Sequence, residues 1–237
     1  MDFEKYLEGE EYYLKEVNKI PSFSILIPLT NRLYNLSIEL IPPDTNPFYG
    51  RRLLLCHKCF LSAASLIGRA QPDDAAPVIR RAIEIAEVAF AVKYDRDNYE
   101  RWLSFETRMD RWKARMVGER PRSPRFPKLK LPTDHQILKE LGEGKGSYSD
   151  SAVHHTPEYF ITQEWKEDGG EIFLNYFAMN QRDLERAIIL FTGTHHNILR
   201  LFDECLDGAL SANDGWERLR LELVTNGHQL SQQFKNP

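Results

Sequence analysis

Residues 48–69 read FYGRRLLLCHKCFLSAASLIGR, and a helix drawn through them is apolar on most of its sides. Leu53, Leu54, Leu55, Phe60, Leu61, Ala63, Ala64, Leu66 and Ile67 cover most of its circumference. Such a helix has to be surrounded by other elements, so the segment predicts a helix in the middle of a multi-helix bundle. The nearly apolar run from Leu53 to Ile67 is broken by His57 and Lys58 and is too short to span a bilayer. With 237 residues, the chain has room for one large domain or for a domain with an elaborated terminus.

The rest of the chain fits that class. Residues 2–17 read as a polar helix, SFSILIPL as an extended apolar segment, and LYNLSIELI as either a strand or a helix. IPPDTNP is a loop. A helix follows QPDDAAP, capped by Asp73 or Asp74, with Pro77 in its first turn. It has a wide apolar face and a narrow polar stripe of Arg80, Arg81, Glu84 and Glu87. A third helix over Arg96–Met116 turns Tyr99, Trp102, Leu103, Met109, Trp112 and Met116 to the core. A proline-rich connector, GERPRSPRFPKLKLP, leads to a short helix, HQILKEL, ended by GEGKG. Asp168-Gly169-Gly170 between aromatic and β-branched runs predicts one β-hairpin over about 159–177. Helices from about Gln181 to Leu210 and from Gly215 to about Phe234 complete the chain. The expected fold is mainly α, a multi-helix bundle with one hairpin. Residues 1–46 form an N-terminal extension packing on the bundle or on a partner subunit, and residues 47–237 form the helical domain with a basic loop at 117–132.

Composition narrows function less sharply. A net charge of −4 argues against nucleic-acid binding by bulk charge. The acidic start MDFEKYLEGEEYYLKE has neither a signal-peptide nor a transit-peptide pattern. Three cysteines cannot all pair within one chain, which points to free thiols in a reducing cytoplasm. Cys56, His57 and Cys59 have a metal-like spacing but no second pair at finger distance, and buried free thiols acting as small hydrophobes account for them better. Neither a metal site nor a cofactor is read from the sequence. Glu84, His154 and His195 would be the ligands in a metal-binding bundle.

Arg52 and His57 sit at the R-x4-H spacing. In this, and in being a helical bundle, the chain resembles the higher-eukaryote and prokaryote nucleotide-binding (HEPN) superfamily of metal-independent ribonucleases. The resemblance implies that Arg52 steadies a scissile phosphate and that His57 moves the proton of a ribose 2′-hydroxyl. Asp150 and His154 are four apart, so on a helix the carboxylate would orient the imidazole. RRAIE on one helix with YSDSAVHHTP after a loop resembles uncharacterised bacterial helical families near that superfamily, some linked to phage defence. That likeness covers about residues 48–210. It implies that Arg81, Glu84, Tyr148, Ser151 and His154 gather in one pocket, and it brings no established activity.

The sharpest feature is charge asymmetry. From Arg108 to Lys130 nine basic residues stand against two acidic ones, a local balance of +7 that leaves −11 for the rest of the chain. A basic helix end with Arg111, Lys113 and Arg115, feeding a loop with Arg120, Arg122, Arg125, Lys128 and Lys130, suits RNA or an acidic protein partner. The same residues would also complement a helix dipole or the acidic N-terminal helix. The leading expectation is a cytoplasmic bacterial binding module that contacts its partner through this loop and forms a homo-oligomer. The alternatives are a ribonuclease and a metal-binding bundle.

Overall fold

The apolar helix around Leu53–Ile67 is 22 residues long, runs over Pro47–Gly68 and joins another, Pro72–Tyr94, through a turn of three residues. In that turn Ala70 takes a left-handed φ of 58°, and its N–H closes on the Ile67 carbonyl at 2.9 Å. So short a connection makes the two helices antiparallel neighbours. In the computed structural model, which describes residues 3–115, 127–152, 166–168, 171–173, 177 and 180–233, eight helices are found. They are α1 (Phe3–Val17), α2 (Pro21–Glu39), α3 (Pro47–Gly68), α4 (Pro72–Tyr94), α5 (Arg96–Arg115), α6 (Gln136–Ala152), α7 (Gln181–Cys205) and α8 (Asp214–Gln232).

The chain is mainly helical, a bundle, as expected. Its hub is α4 rather than α3. Helix α4 packs against α3, α5, α6 and α7 and buries Ile79, Ala82, Ile83, Ala86 and Ala89 among them. Helix α3 is covered by α4, α2 and α7, with a smaller contact to α1, and one side is left open. Leu54 and Leu61 stay 51% and 49% exposed on its outer side. No described helix is long and apolar enough to cross a membrane.

Several local expectations are corrected. SFSILIPL is helical, not extended: it forms the first half of α2, which continues through LYNLSIE. Phe23, Leu26, Thr30, Leu33, Tyr34 and Ser37 recur at helical spacing and are buried. Packing of that stripe on α7 and α8 outweighs the β-branched residues and Pro28. Trp216 of α8 is fully buried and donates its indole N–H to Ser37 Oγ at 2.8 Å, tying the last helix to the second.

Gln71 occupies the N-cap position of helix α4 without a side-chain capping bond, and Pro72 is in the first turn. Asp73 and Asp74 lie in that first turn, where they complement the dipole, and Pro77 stands further inside. GEGKG does not end α6: the helix runs through it to Ala152, because Ile137, Leu141 and Tyr148 are buried along one face. Of the α5 residues expected in the core only Trp102 is buried, and Leu103 is exposed. Among the other helices α5 packs chiefly on α4, which leaves its second half peripheral. Met116 lies outside the described residues.

The hairpin expected over about 159–177 is not supported as an element of the fold. Most of that span lies outside the described residues. Two three-residue segments there, β1 (Lys166–Asp168) and β2 (Glu171–Phe173), pair antiparallel with Lys166 opposite Phe173. A pair that short contributes no layer of its own.

Candidate functional site

Arg52 and His57 are five residues apart on α3, which turns them about 140° from each other around the helix. The structure sends them to different neighbours. The Arg52 guanidinium lies over the Trp102 and Phe48 rings, 4.2 and 5.0 Å from their centroids, with Glu106 at 3.9 Å. Burial lowers its pKa. His57 turns towards α2, where its Nε2 meets Asn31 Oδ1 at 2.8 Å and its ring stacks on Tyr34. Burial lowers its pKa as well.

Behind His57 is a second, buried imidazole, which the sequence offers only as a possible metal ligand. His195 of α7 is fully buried, edge-on to Phe60 and Phe191. Its Nδ1 is 2.7 Å from the Tyr34 hydroxyl, and its Nε2 has no hydrogen-bond partner among the described residues. Burial, with His57 adding, pushes its pKa down to about 3. Asn31, His57, Tyr34 and His195 thus form one chain of contacts from the surface into the core.

The remaining candidates are spread over other places. Cys56, Cys59 and Cys205 are free and buried, and burial raises each thiol pKa, so they act as small hydrophobes. Among the described residues no group of three or more His, Cys, Asp or Glu could hold a metal. On the polar stripe of α4, Arg80 meets Glu84 at 3.2 Å, and Lys145 of α6 meets Glu84 and Glu87 at 3.6 and 2.7 Å. The stripe therefore does face α6. Arg81, however, is exposed, and Tyr148 turns away from the stripe to Thr194 of α7, 3.2 Å from its Oγ1. Asp150 and Ser151 lie in the last turn of α6, and His154 is outside the described residues.

Two surfaces carry more organised chemistry. The first is a groove of about 590 Å³ between α6 and α7. Leu141, Ile189 and Leu190 give it an apolar floor, and Glu140, Glu143 and His196 bring polar atoms to it. Gly193 lines it too, where an added Cβ would meet nothing within 4 Å. Glu140 is positioned by Gln136 at 2.8 Å and Asn197 at 3.0 Å. Burial, with Arg200 and Arg220 adding and Glu140 and Glu217 opposing, pushes the His196 pKa down to about 4. A second hollow of about 260 Å³ on the α8 side shares Ile189, Gly193 and His196, so the groove continues across α7. Sequence reasoning missed Glu140, Glu143 and Asn197. The available signal was the His195-His196 doublet, since adjacent helical residues point about 100° apart and one of the two had to leave the core.

The second surface is basic. Asn98, at the start of α5 and fully buried, donates to the Ala91 and Lys130 carbonyls at 2.8 Å each and accepts from the Lys130 N–H at 3.0 Å. Arg101 donates to the Lys128 carbonyl at 3.3 Å. These bonds fix residues 127–130 to the first half of α5 and leave Lys128 and Lys130 exposed, as Arg108, Arg111 and Lys113 are along the helix. Arg115 ends α5, while Arg120, Arg122 and Arg125 lie outside the described residues. No protein-family model, no curated protein and no solved structure matches the chain.

Proposed function

We propose that this chain is a binding module whose contact surface is the basic arm formed by α5 and the connector behind it, and that its partner is polyanionic. The observation that carries the proposal is the Asn98 clamp. A buried side chain spends two hydrogen bonds on holding Lys130, at the end of the connector, against α5, and a third ties it to the end of α4. Cations distant in sequence, Arg108 to Lys113 and Lys128 to Lys130, are thereby carried by one assembly of helix and pinned segment. Arg108, Arg111, Lys128 and Lys130 have no acidic partner in any ion pair among the described residues, so their charge is available to a ligand. Three buried free thiols favour action in a reducing compartment, the cytoplasm.

The ribonuclease alternative needs Arg52 and His57 on one phosphate. Their divergent partners, the Trp102 ring and Asn31, weigh against it. Anisotropy with a labelled single-stranded RNA tests both readings. If the five described cations engage the strand, the logarithm of affinity falls with the logarithm of salt at a slope of roughly −3.5. That is about a hundredfold loss between 50 and 200 mM. Arg111→Glu/Lys113→Glu/Lys128→Glu/Lys130→Glu removes the binding. If neither RNA nor polyglutamate binds at low salt, the proposal is wrong. Cleavage of the RNA in chelator by the wild type and not by His57→Ala would replace binding with catalysis.

A further inference from the structure

We infer that the acidic outer face of α1 in one copy of this chain packs on the open, basic face of α3 in a second copy, each copy giving one helix and receiving one. The inference does not depend on the basic arm. Three observations converge on it.

The open side of α3 is basic as well as apolar. The helix contains no Asp or Glu from Pro47 to Gly68. Leu54 and Leu61 are 51% and 49% exposed and seven residues apart, so they form a row along the helix. Arg51 and Lys58 stand three residues before and four after Leu54, which places them on the same side. Both are exposed, and neither has an acidic partner in any ion pair among the described residues.

Helix α1 repeats that arrangement with the opposite sign. Leu7 is 44% exposed, with Phe3, 72% exposed, one turn before it. Glu4 and Glu11 stand three residues before and four after Leu7, and both are exposed. Glu11 meets only Lys15 of its own helix, in an exposed pair that is readily exchanged for another. Glu4-Leu7-Glu11 and Arg51-Leu54-Lys58 therefore share one spacing, with charges roughly 10.5 Å apart around a central leucine. Laid together, the leucines meet and each carboxylate faces a cation, the division of labour between seam and flank in a coiled coil.

The chain's own α1 is held elsewhere. Glu10 is 3.8 Å from Arg69, and the Gln71 amide donates to the Tyr6 hydroxyl, so α1 is tied to the end of α3 roughly 27 Å from Arg51. Of its residues only Val17 is buried. A symmetric contact of α3 with α3 would bring Arg51 and Lys58 of both copies together, and that repulsion disfavours it.

The test is sedimentation equilibrium of the full chain at about 100 µM, in about 50 mM and then about 500 mM salt. One variant is Glu4→Lys/Glu11→Lys, another is Arg51→Glu/Lys58→Glu, and a third carries all four changes. Wild type is expected to exceed the monomer mass at low salt and to approach it at high salt. Each two-site variant weakens association by at least about tenfold. The four-site variant recovers it, because both faces have changed sign together. Leu54→Glu/Leu61→Glu abolishes it. All these positions are exposed, and circular dichroism melts check that each variant is folded.

A wild type that stays monomeric at low salt overturns the inference. So does association that survives either two-site variant, or a four-site variant that remains monomeric. Vesicles containing about one-third phosphatidylserine test the other anionic surface that a basic, leucine-bearing face could meet. Monomeric wild type that sediments with them, and loses this in Leu54→Glu/Leu61→Glu, would assign the face to a membrane surface instead.

Discussion

His195 and His196 are neighbours in sequence and opposites in environment. Leu184, Ile188, Phe191, His195, Ile198 and Phe202 recur at spacings of three and four along α7 and are all buried. His195 therefore occupies a core position in that stripe, and His196 falls one step off it into the groove. This much was legible, because the doublet itself demands one inward and one outward residue. What was not legible is the partner. Tyr34 lies 161 residues away, in a segment that reads equally as a strand or a helix. The consequence is a dependence of stability on pH. A histidine in the unfolded chain titrates near 6.5, whereas His195 in the fold is pushed down to about 3 and His196 to about 4. Between those values the unfolded state binds more protons, so stability falls as pH drops below about 6.5. His195 alone accounts for about 2 kcal/mol of loss by pH 5. Urea titrations at pH 7 and pH 5 measure it, and His195→Leu should shrink the difference between them. Tyr34→Phe at pH 7 leaves Nδ1 unpartnered and costs about 1–3 kcal/mol. A wild type equally stable at both pH values would mean that the imidazole is not buried in its neutral form.

Where the helices depart from what their sequences predict, one cause recurs: the surface each helix meets outweighs its local signals. Helix α6 was cut short at GEGKG because three glycines in five residues weaken a helix in isolation. In the fold Ile137, Leu141 and Tyr148 anchor it to its neighbours, while Gly142 and Gly146 fall on its open side. The opposite error was made for α3, whose apolar circumference suggested burial all round, yet one side remains outside. The aromatic stripe of α5 reads as core, whereas Trp102 is its one buried residue. The glycines give a clean check. An added Cβ at Gly142 or Gly146 meets nothing within 4 Å, and neither has a positive φ. Gly142→Ala and Gly146→Ala should each stabilise the protein by about 0.5–1 kcal/mol. For a chain of this size that raises Tm by roughly 1–4 °C. A drop in Tm would mean that this face of α6 is covered in solution.

For the molecule as a whole, the question is how a peripheral basic arm is coupled to the bundle. The charge asymmetry was plain in the sequence. Its geometry was not, because the residue that sets it is an asparagine with nothing to distinguish it from a helix-start polar residue. Asn98 joins three parts of the chain: the end of α4 through Ala91, its own helix, and the connector through Lys130. Asn98→Ala leaves the Lys130 N–H and two carbonyls without that partner and should cost about 1–3 kcal/mol. It also releases Lys130 from α5, leaving the exposed Arg101–Lys128 bond as the remaining tie of the two lysines there, without altering a single charge. If the proposed arm binds polyanions as one surface, the variant loses RNA affinity, and its salt slope becomes shallower by about 1.4, the share of two lysines. Lys128→Gln/Lys130→Gln should produce the same shallower slope with Tm unchanged, since both side chains are exposed. Agreement of the two slopes would tie affinity to the position of these lysines and not only to their charge. An Asn98→Ala protein that is destabilised yet binds with the full wild-type slope would separate the clamp from binding and leave it a purely structural joint.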